Sequence, residues 1–115
     1  MIKCFEVQHK RSDLTREQFV QYWKGTHGPL FASKCDLPGM RKYIQNHPID
    51  AGPEFESEVD GGVVEFWWDD VKSLQAFPKW LRTTDNGKDA MEDGKRFIAI
   101  DKQIVFPCEE HVFKE

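Results

Sequence analysis

The sequence predicts an α+β fold: a four-stranded antiparallel sheet with helices on one face. Three observations predict it. Strand chemistry recurs in four segments, at residues 1–9, 40–47, 62–68 and 103–106. Helical patterning separates them in two stretches, after Thr15 and after Asp69–Asp70. The resulting order, strand-helix-strand-strand-helix-strand, is the split βαβ arrangement. Helices on one sheet face leave the other bare. A second copy of the same sheet is the economical cover, so the pattern also predicts a two-fold homodimer.

The first strand alternates Phe5, Val7 and His9 on one face with Ile2, Cys4, Glu6 and Gln8 on the other. Thr15 then has the makings of an N-cap: Gln18 stands at capping-box spacing and Glu17 suits the positive helix end. Phe19, Tyr22 and Trp23 follow at i, i+3 and i+4 as an aromatic stripe. Gly25 and Gly28-Pro29 predict a kink or break near His27, after which the helix resumes with Pro29 in its first turn and runs to Cys35. Leu37-Pro38-Gly39 is a turn. The second strand sets Arg41, Tyr43, Gln45 and His47 against Met40, Lys42, Ile44 and Asn46, and Pro48 ends it. Residues 49–62 form a long Pro-, Gly- and acid-rich loop.

Val63, Val64, Phe66, Trp67 and Trp68 give the strongest strand signal, apolar on both faces and so central in the sheet. Asp69 or Asp70 caps a helix reaching about Trp80, with Val71, Leu74 and Phe77 on its buried side and Pro78 disturbing its end. A short helix is expected over 84–94. The last strand is interrupted at Pro107, with 110–113 pairing again at an edge.

The 115 residues make one domain, 1–115, with a modest core. A net charge of -4 without a dense Lys or Arg run disfavours nucleic acid. Cys4, Cys35 and Cys108 are odd in number and lack metal-ligand spacing, so reduced thiols in a cytoplasmic protein are expected. No apolar run approaches the ~20 residues that cross a bilayer, and no secretory leader pattern opens the chain. Phosphate loops, dinucleotide fingerprints and nucleophile elbows are absent, so no nicotinamide or flavin cofactor is expected.

His27 is the first candidate for chemistry. Imidazole titrates near neutral pH and suits proton transfer at an enolisable substrate. The alternative is a histidine that caps the helix end. Tyr22 either orients His27 or donates to a substrate oxygen, against plain packing; Trp23 projects about 100° away from it. His9 and His47, at strand ends, are expected to meet His27 across a cleft. None of the histidines has HExxH-type spacing, so no metal is expected. Glu65, inside the most apolar strand, is either a base with a raised pKa or a carboxylate paired with Arg41 or Lys42. Phe66, Trp67, Trp68 and Trp80 supply aromatic area beyond a small core's need; one set is expected to line a cleft suited to a flat, hydrophobic ligand and the other to face the dimer partner, against a role in core and interface alone.

Several of these positions together carry a resemblance. They are the opening strand, Leu14-Thr15 with Glu17 to Phe19, Tyr22-Trp23, His27-Gly28-Pro29-Leu30, Leu37-Pro38-Gly39 with Arg41 to Asn46, Phe97, and Glu110-His111-Val112. In these the chain resembles the EthD-like family of the dimeric α/β-barrel group. The resemblance implies a ferredoxin-like monomer, dimerised sheet to sheet, with a cleft between each sheet and its own helices. Family members are tied to a bacterial ether-degradation system and, in fungal aromatic polyketide pathways, described as decarboxylases or dehydratases. The expectation is a small cofactor-independent enzyme acting on an aromatic or polyketide-like compound by dehydration, decarboxylation, cyclisation or isomerisation. His27, Tyr22 and His47 are its candidate catalytic residues; Trp23, Phe31, Tyr43, Glu65, Trp67, Trp80 and His9 are its candidate substrate contacts. The alternatives are a non-catalytic carrier of a hydrophobic intermediate, a structural partner of a larger enzyme, and a cofactor-free oxygenase.

Overall fold

A computed structural model of the chain describes residues 1–115. Strands β1 (Ile2–Gln8), β2 (Met40–Asn46), β3 (Gly62–Trp68) and β4 (Ile104–Cys108) form one antiparallel sheet in the order β2-β3-β1-β4. Helices α1 (Arg16–Tyr22) and α2 (Gly28–Lys34) join β1 to β2, while α3 (Val71–Thr83) and α4 (Asp85–Lys95) join β3 to β4. This is the α+β, ferredoxin-like arrangement.

The caps follow the sequence. Thr15 and Gln18 close a reciprocal capping box at the start of α1. Asp70 accepts from the Ser73 amide ahead of α3, and Thr84 does the same for Gly87 ahead of α4. Pro78 sits inside α3, which nevertheless continues to Thr83.

The expected break near His27 is absent. Residues Trp23–His27 form one π-helical turn that joins α1 to α2. In it the Gly28 amide donates to Trp23 O, five residues back. Pro29 has no N–H to continue the α ladder, and its ring would crowd the carbonyl four residues earlier. Widening the turn by one residue relieves that conflict without ending the helix.

Two further expectations give way. Register shifts between Met40 and Lys42, so Met40 opposes Trp68 and Tyr43 opposes Phe66, putting these two of β2 on the helix side. Strict alternation had placed them on opposite faces. Pro107 lies within β4, opposite Cys4. An edge strand tolerates a missing N–H, and β4 is at the edge; residues 109–115 form no strand.

Between sheet and helices lie Phe19, Trp23, Phe31, Val64, Phe66 and Trp68, with Phe77, Trp80 and Phe97. On the other sheet face Phe5 stacks on Phe106, and Trp67 lies beneath the ammonium groups of Lys3 and Lys42. Glu65 pairs there with Lys3, at 3.3 Å, rather than with Arg41 or Lys42; Arg41 instead grips Asp69 through two hydrogen bonds of 2.7 Å.

Candidate active site

Between the helix-side face of β1, β2 and β3 and the helices lies a narrow, half-open cleft of about 80 Å³. Its walls are mostly apolar, with Phe31, Phe66, Phe77 and Ile98 among them. Its polar groups are few: Glu6, Gln8, His27, Tyr43 and Gln103. Few polar groups converging in an apolar concavity is the usual make-up of a small-molecule site.

The π turn and α4 together build the His27 end. His27 closes the π turn and is buried beside Phe97, their rings 4.8 Å apart. Its Nδ1 lies 2.8 Å from Asp93 Oδ2, on α4. A carboxylate accepts, so Nδ1 carries the hydrogen, and in the neutral ring Nε2 holds the lone pair. Nε2 has no hydrogen-bond partner, is not sealed from solvent, and belongs to a ring that lines the cleft. Burial lowers the His27 pKa below its ordinary value, with the Asp93 hydrogen bond opposing the shift. The ring is therefore neutral and basic at neutral pH.

Asp93 is itself buried and fully engaged. Tyr22 donates to its Oδ1 at 2.5 Å, and Arg96 approaches the same oxygen at 3.4 Å from the exposed side. Tyr22 thus reaches His27 through Asp93 and does not line the cleft.

Gln45 organises the opposite side. Its Nε2 donates to Trp23 O in the π turn and to the Tyr43 hydroxyl, each at 2.8 Å. Tyr43 accepts that bond, which leaves its own O–H free to donate, and its ring is part of the cleft lining. His47 donates from Nε2 to Gln45 Oε1 at 2.8 Å and stacks on Trp23 at 4.2 Å, outside the cleft lining.

Glu6 projects from β1 to the helix side. Two amides, Gln103 at 3.1 Å and Gln8 at 3.4 Å, donate to its Oε1. Its Oε2 makes no hydrogen bond and is not sealed from solvent. Burial pushes its carboxyl up to about 7, with the Gln8 hydrogen bond opposing. Gln8 is buried, and its Oε1 has no partner in the protein.

Among the residues singled out from sequence, His27, Phe31 and Tyr43 come together at the cleft. Trp23 and Trp80 lie in the core, Trp80 donating to Asp36 at 2.7 Å. His9 sits past the end of β1 against Asp60, at 2.9 Å. Glu65 and Trp67 occupy the other sheet face, joined by a 2.5 Å hydrogen bond. Asp93, Glu6, Gln8, Gln45 and Gln103 were not singled out. Asp93 had a signal: it is a carboxylate on the stripe Ala90, Gly94, Phe97 of a helix. Glu6 had one too, a carboxylate alternating with Ile2 and Cys4. No three His, Cys, Asp or Glu side chains are grouped so as to hold a metal ion.

Comparison with known proteins agrees with this architecture. The chain is similar to an EthD family protein from Bacillus halodurans C-125, with 24% identity over 96% of this chain and 99% of that one, at a TM-score of 0.67. A hydroxynitrile lyase from Passiflora edulis superimposes at a TM-score of 0.62, with 16% identity over 98% of this chain and 96% of that one. A dimeric ferredoxin-like protein of unknown function from Jannaschia sp. CCS1 also gives 0.62, with 12% identity over 95% of this chain and 98% of that one. No curated protein matches the sequence. The EthD domain model matches residues 11–101, most of the chain and all of the π turn and α4 that hold His27, so the protein belongs to the EthD domain family.

Proposed function

We propose that the cleft is the active site of a cofactor-independent enzyme that moves protons on an enolisable aromatic or polyketide-like compound. One observation carries this reading. His27 lines an apolar cleft with its Nε2 unpartnered and not sealed from solvent, while Asp93 holds its Nδ1–H. That is the geometry of a general base whose conjugate acid has a waiting counter-ion. Nε2 takes a proton from carbon; the imidazolium formed is paired with Asp93. The Tyr43 hydroxyl donates to oxygen, and the aromatic walls hold a flat ring and exclude water. Tyr22 holds the Asp93 carboxylate in place. Dehydration, cyclisation and isomerisation are reached from the enolate so formed; decarboxylation of a β-keto acid instead makes the enolate by losing CO2, and the Tyr43 hydroxyl supports the oxyanion in the same way.

The protein works as a homodimer in this reading, supported by the Phe5–Phe106 pair on the sheet face that no helix covers and by dimeric proteins of the same fold. Three unpaired cysteines support a reducing, cytoplasmic setting; no helix is long and apolar enough to cross a membrane.

The test is deuterium uptake by 2-tetralone in D2O, followed by proton NMR, for the wild-type protein and His27→Asn. The reading expects uptake above the buffer rate that falls by roughly 10²-fold or more in the variant, while 1-naphthol still binds. Equal uptake by both proteins overturns His27 as the base. Naphthol binding without any uptake favours the carrier instead.

A further inference from the structure

We propose that Glu6 is the second catalytic group of the cleft, a neutral carboxylic acid that protonates the substrate's carbonyl oxygen while His27 takes the proton from the adjacent carbon. The proposal rests on the reading of His27 as the base and adds the acid that reading lacks.

Geometry makes the case. Glu6 lies on the sheet floor and His27 on the helical wall of one cleft. Each is held through one atom and leaves the other free. Oε1 of Glu6 receives both amides and Oε2 is open, just as Nδ1 of His27 is tied to Asp93 and Nε2 is open. No Lys, Arg or Asp lines the cleft; the other titratable group there is Tyr43 on β2. Beyond the cleft lining, Cys4, two residues back on the same strand, has its thiol pushed up by burial first and by Glu6 second, to about 11. Glu6 therefore has no cation to hold it ionised. An apolar site raises a carboxyl and keeps it a donor, and burial raises this one to about 7.

The step balances. Nε2 of His27 removes a proton from the carbon next to the carbonyl. The C–H electron pair becomes the new C=C bond, the carbonyl π pair moves to oxygen, and that oxygen takes the Glu6 proton. The products are an enol, a Glu6 carboxylate and a His27 imidazolium. For a β-hydroxy ketone the imidazolium then protonates the departing hydroxyl, which leaves as water. The enol proton returns to Glu6 as the conjugated ketone forms, and both residues are reset. The substrate class is thus an aromatic or polyketide-like ketone bearing a hydroxyl one carbon beyond the enolisable position.

The experiment compares wild type, Glu6→Gln and His27→Asn from pH 5 to 9. It reads 2-tetralone deuterium uptake and, separately, binding of 4-nitrophenolate, whose absorbance reports its oxyanion. The expected wild-type rate is bell-shaped, rising as His27 loses its proton and falling as Glu6 loses its own near pH 7. Glu6→Gln keeps the amide contacts but cannot titrate. It should lower uptake by roughly 10²-fold and abolish the alkaline limb while the acid limb remains. Oxyanion affinity should fall as pH rises through 7 in wild type; in Glu6→Gln that fall should vanish, leaving only the change at lower pH as His27 gains its proton. An alkaline limb that survives in Glu6→Gln overturns the proposal, while loss of uptake in His27→Asn still upholds the base. If wild type exchanges nothing yet binds the oxyanion with the Glu6-dependent pH profile, the acid stands and the base falls. Absent or pH-independent oxyanion binding overturns Glu6. Matched thermal melting of the variants at pH 5 separates these results from misfolding.

Discussion

His27 and Asp93 stand 66 residues apart in sequence, yet their side chains meet at 2.8 Å in a buried contact that no strand pairing or helix repeat supplies. The π turn aims one partner and the last turns of α4 aim the other. Asp93→Asn tests what this contact does. An amide can present an N–H to Nδ1, which then turns acceptor and moves the ring hydrogen to Nε2, the wrong tautomer for a base. Uptake by 2-tetralone should fall by roughly 10²-fold or more. Asp93 now opposes the fall in His27's pKa, so its loss should lower that pKa further. An NMR titration of the His27 ring checks the direction, and an upward shift would contradict the assignment.

Glu6 links the site to stability. Its folded pKa, about 7, lies above the ordinary value of 4.5. The folded state therefore holds the proton to higher pH than the unfolded chain does. Stability from this group is fully present below pH 4.5 and is lost as pH rises through 7. The loss at pH 8 is on the order of 3 kcal/mol. Glu6→Gln, which cannot ionise, should match wild type near pH 4 and exceed it by up to that amount at pH 8. Urea unfolding at both pH values checks the difference. His27, with its lowered pKa, acts in the other direction: its share is lost as pH falls from 6.5 through the folded value. Both variants measured together separate the two groups.

What the sequence made legible was local. The Thr15–Gln18 box, the Asp70 cap and the run of β3 all rest on residues within a few positions of one another. So did the choice of His27, from a helix-breaking motif, while Phe31 and Tyr43 entered as candidate substrate contacts of the family the chain resembles. The π turn was illegible because Gly25, Gly28 and Pro29 carry the same local signal as a helix end; tertiary support decides between them. Part of that support is Gln45, which bonds Trp23 O from another element. Asp93 and Glu6 were hidden for a related reason. Charged residues make up 31% of the chain, so a carboxylate on an apolar face stands out only once the face is known to be covered. Glu65 attracted notice on a similar signal, but its face of β3 points away from the cleft.

Gly25 in the π turn and Gly28 just after it should behave oppositely. A Cβ on Gly25 meets nothing within 4 Å. Gly25→Ala should stabilise the protein by up to about 1 kcal/mol by restricting the unfolded chain. A Cβ on Gly28 would stand 2.8 Å from Gln45 Nε2 and 3.3 Å from Trp23 O. Gln45 cannot step aside without releasing its bonds to Trp23 O and Tyr43. Gly28→Ala should cost about 1–3 kcal/mol and loosen the Tyr43 hydroxyl in the same stroke. Thermal melting reads the first effect and 1-naphthol affinity the second. A Gly28→Ala protein as stable as wild type would show that Gln45 is not holding the turn.

Phe106 gives the sharpest test of the dimer. It is 45% exposed, it stacks on Phe5 with centroids 5.7 Å apart, and it lies on the sheet face that no helix covers. An aromatic pair left in water on a broad strand surface is the kind of patch a partner subunit buries. Phe106→Asp changes little inside one subunit, because the side chain packs only from beneath. Against a second sheet it would bury an unpaired carboxylate. Loss of a central aromatic contact is worth about 2 kcal/mol or more, so the dimer dissociation constant should rise at least about 30-fold. Sedimentation equilibrium across a concentration series reads that shift directly. The variant should be a folded monomer where wild type is a dimer. A wild-type chain that sediments as a monomer throughout would leave Phe106 exposed in the working protein and refute the sheet-to-sheet assembly.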